Sequence, residues 1–421
     1  MTRLLVGRTL ARVSLAWLPA LAWGAVGMTE LPATAERGPI VVFYPSGAEE
    51  QRVFRTLPGG ELAFKAAVDG GFVQGNGRLV IVSHGTGGAP WVHADLARAQ
   101  VGAGFVVALP EHQADNYKDA SNTGPDSFAT RPAEISQTID TIGLDRRFAP
   151  ALKLNRVGLY GMSAGGHTAL TMAGGRWSRA AFKQHCEAHL AEDFQACVGL
   201  YLRLDGGIVD GFKKWLALAI IRYRFGDATP QTHGDPRVAA IVAAVPAAAD
   251  FDMNSLVAPQ MPLGLVTARQ DRWLLPRFHG DRVLQVCKSC EWVADLPTGG
   301  HGALLSPLPP GLRGLIGDML NDPPWLRSQR IAGGGPENSC FLHPASAALT
   351  RLAPPATPQP VCFPALERCP WTKTRQQPWG APGRRCAGTR QALQLPGALC
   401  LPHGRADQTP PGRSVWPDVS P

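Results

Sequence analysis

Beyond the N-terminal Val13–Val26 run, the chain has no apolar segment approaching the roughly 20 residues that span a bilayer, so nothing later in it reads as a membrane helix. It also lacks the partner that would turn Cys287-Lys288-Ser289-Cys290 into a metal or redox motif. No second Cys-x-x-Cys accompanies it in the same region and no helix starts there, which argues against both a zinc site and thioredoxin-like chemistry. Charge of one sign is missing as well, once the C-terminal stretch is set apart. Trp325–Pro421 carries 11 basic and 4 acidic residues, +7 of the whole-chain +8, and leaves only +1 for everything before it. That balance excludes a basic footprint for nucleic acid and gives no sign of an anionic substrate. The same stretch has no sustained apolar periodicity. It is Pro-rich, with five cysteines at irregular spacing, a composition that argues against a packed core. A disordered exported extension, a small disulfide domain and translation of a shifted reading frame all fit it.

What the chain does have is concentrated in Arg156–Ala169, RVGLYGMSAGGHTA. A short apolar run enters Gly161-Met162-Ser163-Ala164-Gly165, and a helix-forming stretch follows. In a strand–G-x-S-x-G–helix turn the serine backbone is strained and its hydroxyl stands above the sheet edge at a helix N-terminus, where negative charge is favoured. Small residues two positions either side are required because the strand and helix crowd there. Ser163 is therefore the candidate nucleophile.

Its partners follow in order. Leu79–Ser83 (LVIVS) reads as a buried strand leading into His84-Gly85-Thr86-Gly87-Gly88, a turn whose backbone N–H groups suit an oxyanion hole formed by Thr86 and Ala164. Pro262–Ala268 is another buried strand, and Asp271 lies just past its end, where open α/β sheets collect their chemistry. Glu291–Leu296 is a last short strand, followed by a loop containing His301. The order Ser163, Asp271, His301 is that of α/β-hydrolase triads. Asp250 is the alternative acid, since Ile241–Val245 reads as the strand before it. Among other histidines, His84 belongs to the oxyanion turn, His167 points away from the pocket, and His112 and His279 follow no elbow-like geometry.

Strands alternate with helical patterns, for example Pro39–Tyr44, Val101–Leu109 and Pro132–Ile142, which predicts an α/β fold with a mostly parallel central sheet and helices on both faces. Residues 36–324 form one domain by this reading, with a helical cap insertion at about 176–237. Within the insertion Phe212–Phe225 is amphipathic, with Trp215, Leu218, Ile220 and Ile221 able to share a face and Lys213, Lys214, Arg222 and Arg224 on other sides. Covering the active site is the favoured role for this helix; a decorative surface helix and a peripheral membrane contact through its basic face are the alternatives. Residues 1–35 read as a signal peptide or, less simply, a retained anchor: Arg3, Arg8 and Arg12 precede the apolar run, and Ala20-Leu21-Ala22 and Ala33-Thr34-Ala35 are both A-x-A cleavage sites. An exported, periplasmic or secreted protein would hold its cysteines oxidised, and the short separations suggest Cys186–Cys197 and Cys287–Cys290.

Taken together, Ser83–Gly88 (SHGTGG), Ala94–His112, Tyr160–Leu170 (YGMSAGGHTAL) and Thr298–Pro307 give residues 38–324 a resemblance to bacterial dienelactone-hydrolase-like proteins of the α/β-hydrolase group, related to platelet-activating-factor acetylhydrolases. True dienelactone hydrolases use a cysteine nucleophile; here the position is Ser163, which favours ester over lactone cleavage. The expected protein is a serine carboxylester hydrolase acting on a small-molecule or lipid ester through an acyl-enzyme, with no metal or organic cofactor and no nucleic-acid partner. A thioesterase or acyltransferase with the same triad, and a non-catalytic exported binding protein on the same scaffold, are the alternatives. Because the segment after Pro324 holds no triad or oxyanion group, deleting Arg327–Pro421 should leave kcat/KM for a chromogenic ester within about threefold. Loss of turnover in a truncated protein that still melts cooperatively would place that segment in the working enzyme.

Overall fold

Leu79–Ser83 and Val157–Met162 are apolar along their length, as strands covered on both faces must be, and every residue of both is buried. The computed structural model describes residues 24–199 and 202–312. Their strands are β1 (Ala25–Leu31), β2 (Ile40–Ser46), β3 (Gln51–Leu57), β4 (Gly60–Val68), β5 (Leu79–Ser83), β6 (Val106–Pro110), β7 (Val157–Met162), β8 (Arg176–Trp177), β9 (Val238–Ala244), β10 (Phe251–Asp252), β11 (Leu263–Ala268) and β12 (Glu291–Leu296). The helices are α1 (Ala94–Gly102), α2 (Pro125–Leu144), α3 (Ala164–Met172), α4 (Arg179–His189), α5 (Phe194–Val198), α6 (Asp210–Arg224) and α7 (Gly280–Val286).

Ten strands make one sheet in the order β12-β11-β9-β7-β5-β6-β2-β1-β4-β3, and β8 and β10 make a separate small ladder. From β12 to β6 every pairing is parallel. Beyond β6 the sheet is mixed: β2 is antiparallel to β6 and to β1, β1 is parallel to β4, and β4 closes a hairpin with β3. The two-residue period of each strand divides its apolar side chains between two cores. Val41, Phe43, Val80 and Val82 meet Leu96, Ala97 and Val101 of α1 on one face. Ile40, Val42, Leu79 and Ile81 meet Ile135, Ile139 and Ile142 of α2, with α3 and α7 alongside, on the other. This is the expected α/β fold, with a mostly parallel sheet and helices on both faces.

The insertion between α3 and β9 is helical, as expected. Phe182, Cys186, Leu190, Phe194, Cys197, Ile221 and Phe225 give it a core of its own. Cys186–Cys197 and Cys287–Cys290 are disulfide-bonded, with Cα separations of 5.7 and 5.5 Å. Among the described residues no helix is long and apolar enough to cross a membrane; both observations are compatible with export.

Two expectations need correction. In α6, Ala217 and Ile221 are buried, while Trp215 and Ile220 are exposed by 63% and 48%. Trp215 lies about 120° round from Ile221, so the 3.6-residue period turns it away from the inward face, whereas Ile220, half-exposed, still reaches the cavity lining. Instead Phe212, Trp215, Leu216, Ile220 and Tyr223 form an outward apolar stripe. The second correction concerns the N-terminal segment. Ala25–Leu31 is a strand paired along its length with Ile40–Ser46, and Val26, Met28 and Leu31 are buried in the two cores. A leader reaching residue 35 would include this strand; cleavage after Ala22 would spare it. Residues 1–23 of that segment and the Trp325–Pro421 segment with its five cysteines lie outside the described residues.

A chain beginning at Glu36 should therefore lose at least about 5 kcal/mol, from three buried apolar side chains at roughly 1.5–3 kcal/mol each, which is much of a domain's net stability. A chain beginning at Gly24 should keep it. Urea unfolding of the two decides the point: equal midpoints would show that β1 is dispensable.

Candidate active site

The strands β5, β7, β9, β11 and β12 run parallel, so their C-terminal ends meet at one edge of the sheet. There β7 ends at Ser163, whose backbone is at φ +59°, ψ −117°. The neighbours explain why such a conformation needs glycine on both sides. A Cβ on Gly161 would lie 1.9 Å from the Gly165 carbonyl oxygen, and one on Gly165 would lie 2.1 Å from that of Ser83. The turn is held by backbone bonds: Ser163 N–H donates to Ala244 O at 3.0 Å, and Ser163 O accepts from His167 N–H at 3.0 Å and Ala247 N–H at 3.2 Å. Strain of this kind persists only where the surroundings over-determine it. The Ser163 side chain faces a cavity and makes no hydrogen bond among the described residues.

Asp271 follows β11 and His301 follows β12; both are buried. Asp271 Oδ2 lies 2.7 Å from His301 Nδ1, while its Oδ1 accepts the N–H groups of Trp273 at 2.8 Å and Leu274 at 2.9 Å. A carboxylate opposite Nδ1 puts the ring's proton there and leaves the Nε2 lone pair free. The Trp273 ring packs 5.1 Å from the imidazole and also lines the cavity. The structure brings Asp271 to His301 and Thr86 and Ala164 to Ser163; it does not join Ser163 to His301 by a hydrogen bond. Asp250, the alternative acid, is engaged elsewhere: its Oδ2 is 3.1 Å from His167 Nε2, and that ring stacks on Phe128 inside the core at 4.0 Å.

Thr86 and Ala164 line the cavity with Ser163. Among the described residues neither backbone N–H has an acceptor. The turn that carries Thr86 rests on a buried polar bracket that the sequence reading missed. Arg131 of α2, fully buried, donates to Asp115 Oδ2 at 2.8 and 3.1 Å, to Ser127 Oγ at 2.7 Å and to the His84 carbonyl. Asp115 Oδ1 in turn accepts the Gly87 N–H at 3.0 Å. Burial alone would raise the Asp115 carboxyl, but Arg131, Ser127 and the Gly87 N–H hold it below its ordinary value. Beside it Glu134 bonds His112 Nδ1, and His112 Nε2 lies 2.8 Å from Ser83 Oγ. Burial pushes Glu134 up to about 7 against the pull of Arg131, and holds both His84 and His112 well below the usual imidazole range. A signal was present: Arg131 is three residues after Phe128 and four before Ile135, so the helical period places it on the buried face of α2.

The cavity, about 330 Å³, runs from Ser163 to the insertion. Phe128, Phe182, Leu216, Ala217, Ile221 and Trp273 give it apolar walls. The two cations at its lining are paired with carboxylates, Lys213 with Asp205 and Asp210 and Arg224 with Asp126, which Arg179 shares. Within the site so described, no group presents an unpaired charge to a ligand.

No family model matches the chain, and no curated protein matches it. Among solved structures it is similar to a ferulic acid esterase from Streptomyces cinnamoneus, with a TM-score of 0.46 and 14% identity over 83% of this chain and 95% of that one. The fold assignment rests on the strand order and directions, not on this likeness.

Replacing Arg131 with Leu strands a buried Asp115 charge and should cost about 3–5 kcal/mol in urea unfolding. Adding Asp115→Ala should recover part of that loss. A double variant no more stable than Arg131→Leu alone would mean that the pair is not the source of the penalty.

Proposed function

We propose that the protein is a serine carboxylester hydrolase. The observation that carries this reading is the strained Ser163 lining an apolar cavity, with the hydrogen-bonded Asp271–His301 pair in the loops after β11 and β12 at the same sheet edge. In this mechanism Ser163 Oγ attacks the ester carbonyl carbon as its proton passes to His301 Nε2. Asp271 keeps the ring in the orientation that exposes Nε2 and stabilises the imidazolium. The oxyanion accepts from the N–H groups of Thr86 and Ala164, each such donor being worth about 3 kcal/mol in the transition state. His301 returns the proton to the departing alkoxide, which leaves as the alcohol, and the acyl group stays on Ser163. Water then gives a proton to His301 and its oxygen to the acyl carbon, and His301 passes that proton to Ser163 Oγ as the C–O bond to the serine breaks and the acid leaves. The Ser163–His301 hydrogen bond belongs to the substrate complex; such bonds are often long or misaligned without substrate.

The apolar walls of the cavity favour esters with a compact apolar acyl or aryl group, with no call for metal or organic cofactor. The serine at the nucleophile position keeps this reading on esters within the dienelactone-hydrolase-like resemblance. The outward stripe of α6, with Trp215 and Tyr223 among its members, supports a peripheral contact with an apolar surface, and the two disulfides suit an oxidising, extracytoplasmic compartment.

Ser163→Ala should abolish both turnover of a chromogenic ester panel and labelling by a fluorophosphonate, with the melting temperature unchanged. Asp271→Asn should lower kcat by roughly 10⁴, the loss expected when the orienting carboxylate is removed, whereas Asp250→Asn should leave the kinetics near wild type. Labelling that survives Ser163→Ala, or a larger effect at Asp250, would sink the assignment.

A further inference from the structure

His185, Asp193 and His279 form a buried cluster that the ester chemistry does not use. One ligand atom from each lies within 4.8 Å of the others, the donor set of a His₂–Asp metal site. The hydrogen bonds argue against a metal. The Ala248 N–H donates to His279 Nδ1 at 2.9 Å, so that nitrogen carries the lone pair and the ring's proton is on Nε2. Nε2 points at Asp193 Oδ2, 2.9 Å away. A ligating imidazole needs the reverse, with Nε2 free and its N–H partnered by an acceptor on the other side; here the other side is a donor. His185 Nε2 reaches the same Oδ2 at 2.8 Å. Burial by itself would raise the Asp193 carboxyl, yet the two imidazole hydrogen bonds bring it down to about 2, so it is an ionised acceptor.

The cluster joins two parts of the site. His185 is on α4, next to Cys186, and Asp193 stands just before α5, within the loop closed by Cys186–Cys197. His279 ends the segment that starts at Asp271. Along that segment Arg277 pairs with Glu192 at 2.7 Å, and the Phe278 ring packs 5.3 Å from His185 and 4.5 Å from His189. Its other end is tied to the sheet: Asp271 N–H donates to Ala268 O at 3.2 Å, and Gln270 N–H to Gly299 O at 2.9 Å. Between the two ties lie Trp273 and Leu274, which face the cavity opposite cap residues such as Phe182 and Cys197.

We propose that Asp193 is a positioning residue: its carboxylate, shared by His185 and His279 as a hydrogen-bonded joint and not a metal site, latches the cap onto segment 271–279 and so sets the cavity wall at Trp273 and Leu274. The kinetic part of this proposal rests on the esterase reading; the structural part does not. The test uses the full chain, 4-nitrophenyl butyrate as substrate, and hydrogen exchange. In Asp193→Ala, KM rises about tenfold while kcat stays within about threefold, the pattern of lost uniform binding, because Asp271 keeps its own ties to the sheet. In the same variant amides of 271–279 exchange faster. His279→Ala behaves likewise, whereas His279→Gln stays near wild type, since the glutamine amide can accept from Ala248 and donate to Asp193. Zinc and EDTA leave the wild-type melting temperature unchanged. The proposal is overturned if His279→Gln is as impaired as His279→Ala and zinc raises the melting temperature, which is the metal-site result. It is overturned equally if exchange in 271–279 does not change in Asp193→Ala. A wild-type protein inert to the ester would defeat the esterase reading alone, and the exchange arm would still decide the latch.

Discussion

Between β7 and α3 the backbone has room for a hydrogen atom on Gly161 and Gly165 and for nothing larger, because the helix start, the serine and the end of β5 meet within van der Waals distance. That crowding puts Ser163 at positive φ and turns its hydroxyl out of the sheet. It also sets where everything else must be. The 84–88 turn follows β5, the neighbour on one side, and the Asp271 and His301 loops follow β11 and β12, further along the same parallel edge. Only a parallel sheet delivers five strand ends, and the loops they feed, to one place.

A strained turn next to a flexible loop would not hold its geometry, and the loop at 84–88 has no regular structure to stiffen it. The protein supplies ionic groups beneath it instead. Burying Arg131 and Asp115 together is expensive in desolvation, and the arrangement is tolerable because nearly every donor of the guanidinium finds an acceptor: a carboxylate, a hydroxyl or a turn carbonyl. Those carbonyls are tied down by the guanidinium, and Thr86, in the same turn, lines the cavity. The same logic recurs at Asp193, where one buried carboxylate oxygen serves two imidazoles and links the insertion to the loop behind the acid.

The insertion does two jobs with one helix. Its inner side, through Ala217 and Ile221, closes the cavity over Ser163; its outer side leaves Phe212, Trp215 and Tyr223 in solvent. Leu216 and Ile220 belong to both sides, so the cavity wall passes directly into the exposed apolar stripe. The disulfide between Cys186 and Cys197 confines the hairpin that supports this helix, which a core of seven residues would otherwise hold alone.

The strained turn at Ser163, the apolar strands that carry it and the placing of Asp271 and His301 after two later strands were legible in the sequence, because each is enforced locally: by glycine spacing, by continuous burial on two faces, and by loops that follow strand ends. The cap was legible as an insertion, but the inward face of α6 was not, since a helix apolar on both sides has no single stripe to read. β1 was hidden inside a run that also fits a leader peptide, and only its pairing between β2 and β4 shows it to be a strand. Which histidine Asp250 and Asp271 each meet needed the fold as well; both follow buried strands, and packing sends one to His167 and the other to His301. The brackets at Arg131 and Asp193 include pairs 16 and 86 positions apart, Arg131 with Asp115 and His279 with Asp193. No local pattern encodes such pairings, because their partners are set by packing between elements, and only the tertiary structure decides them.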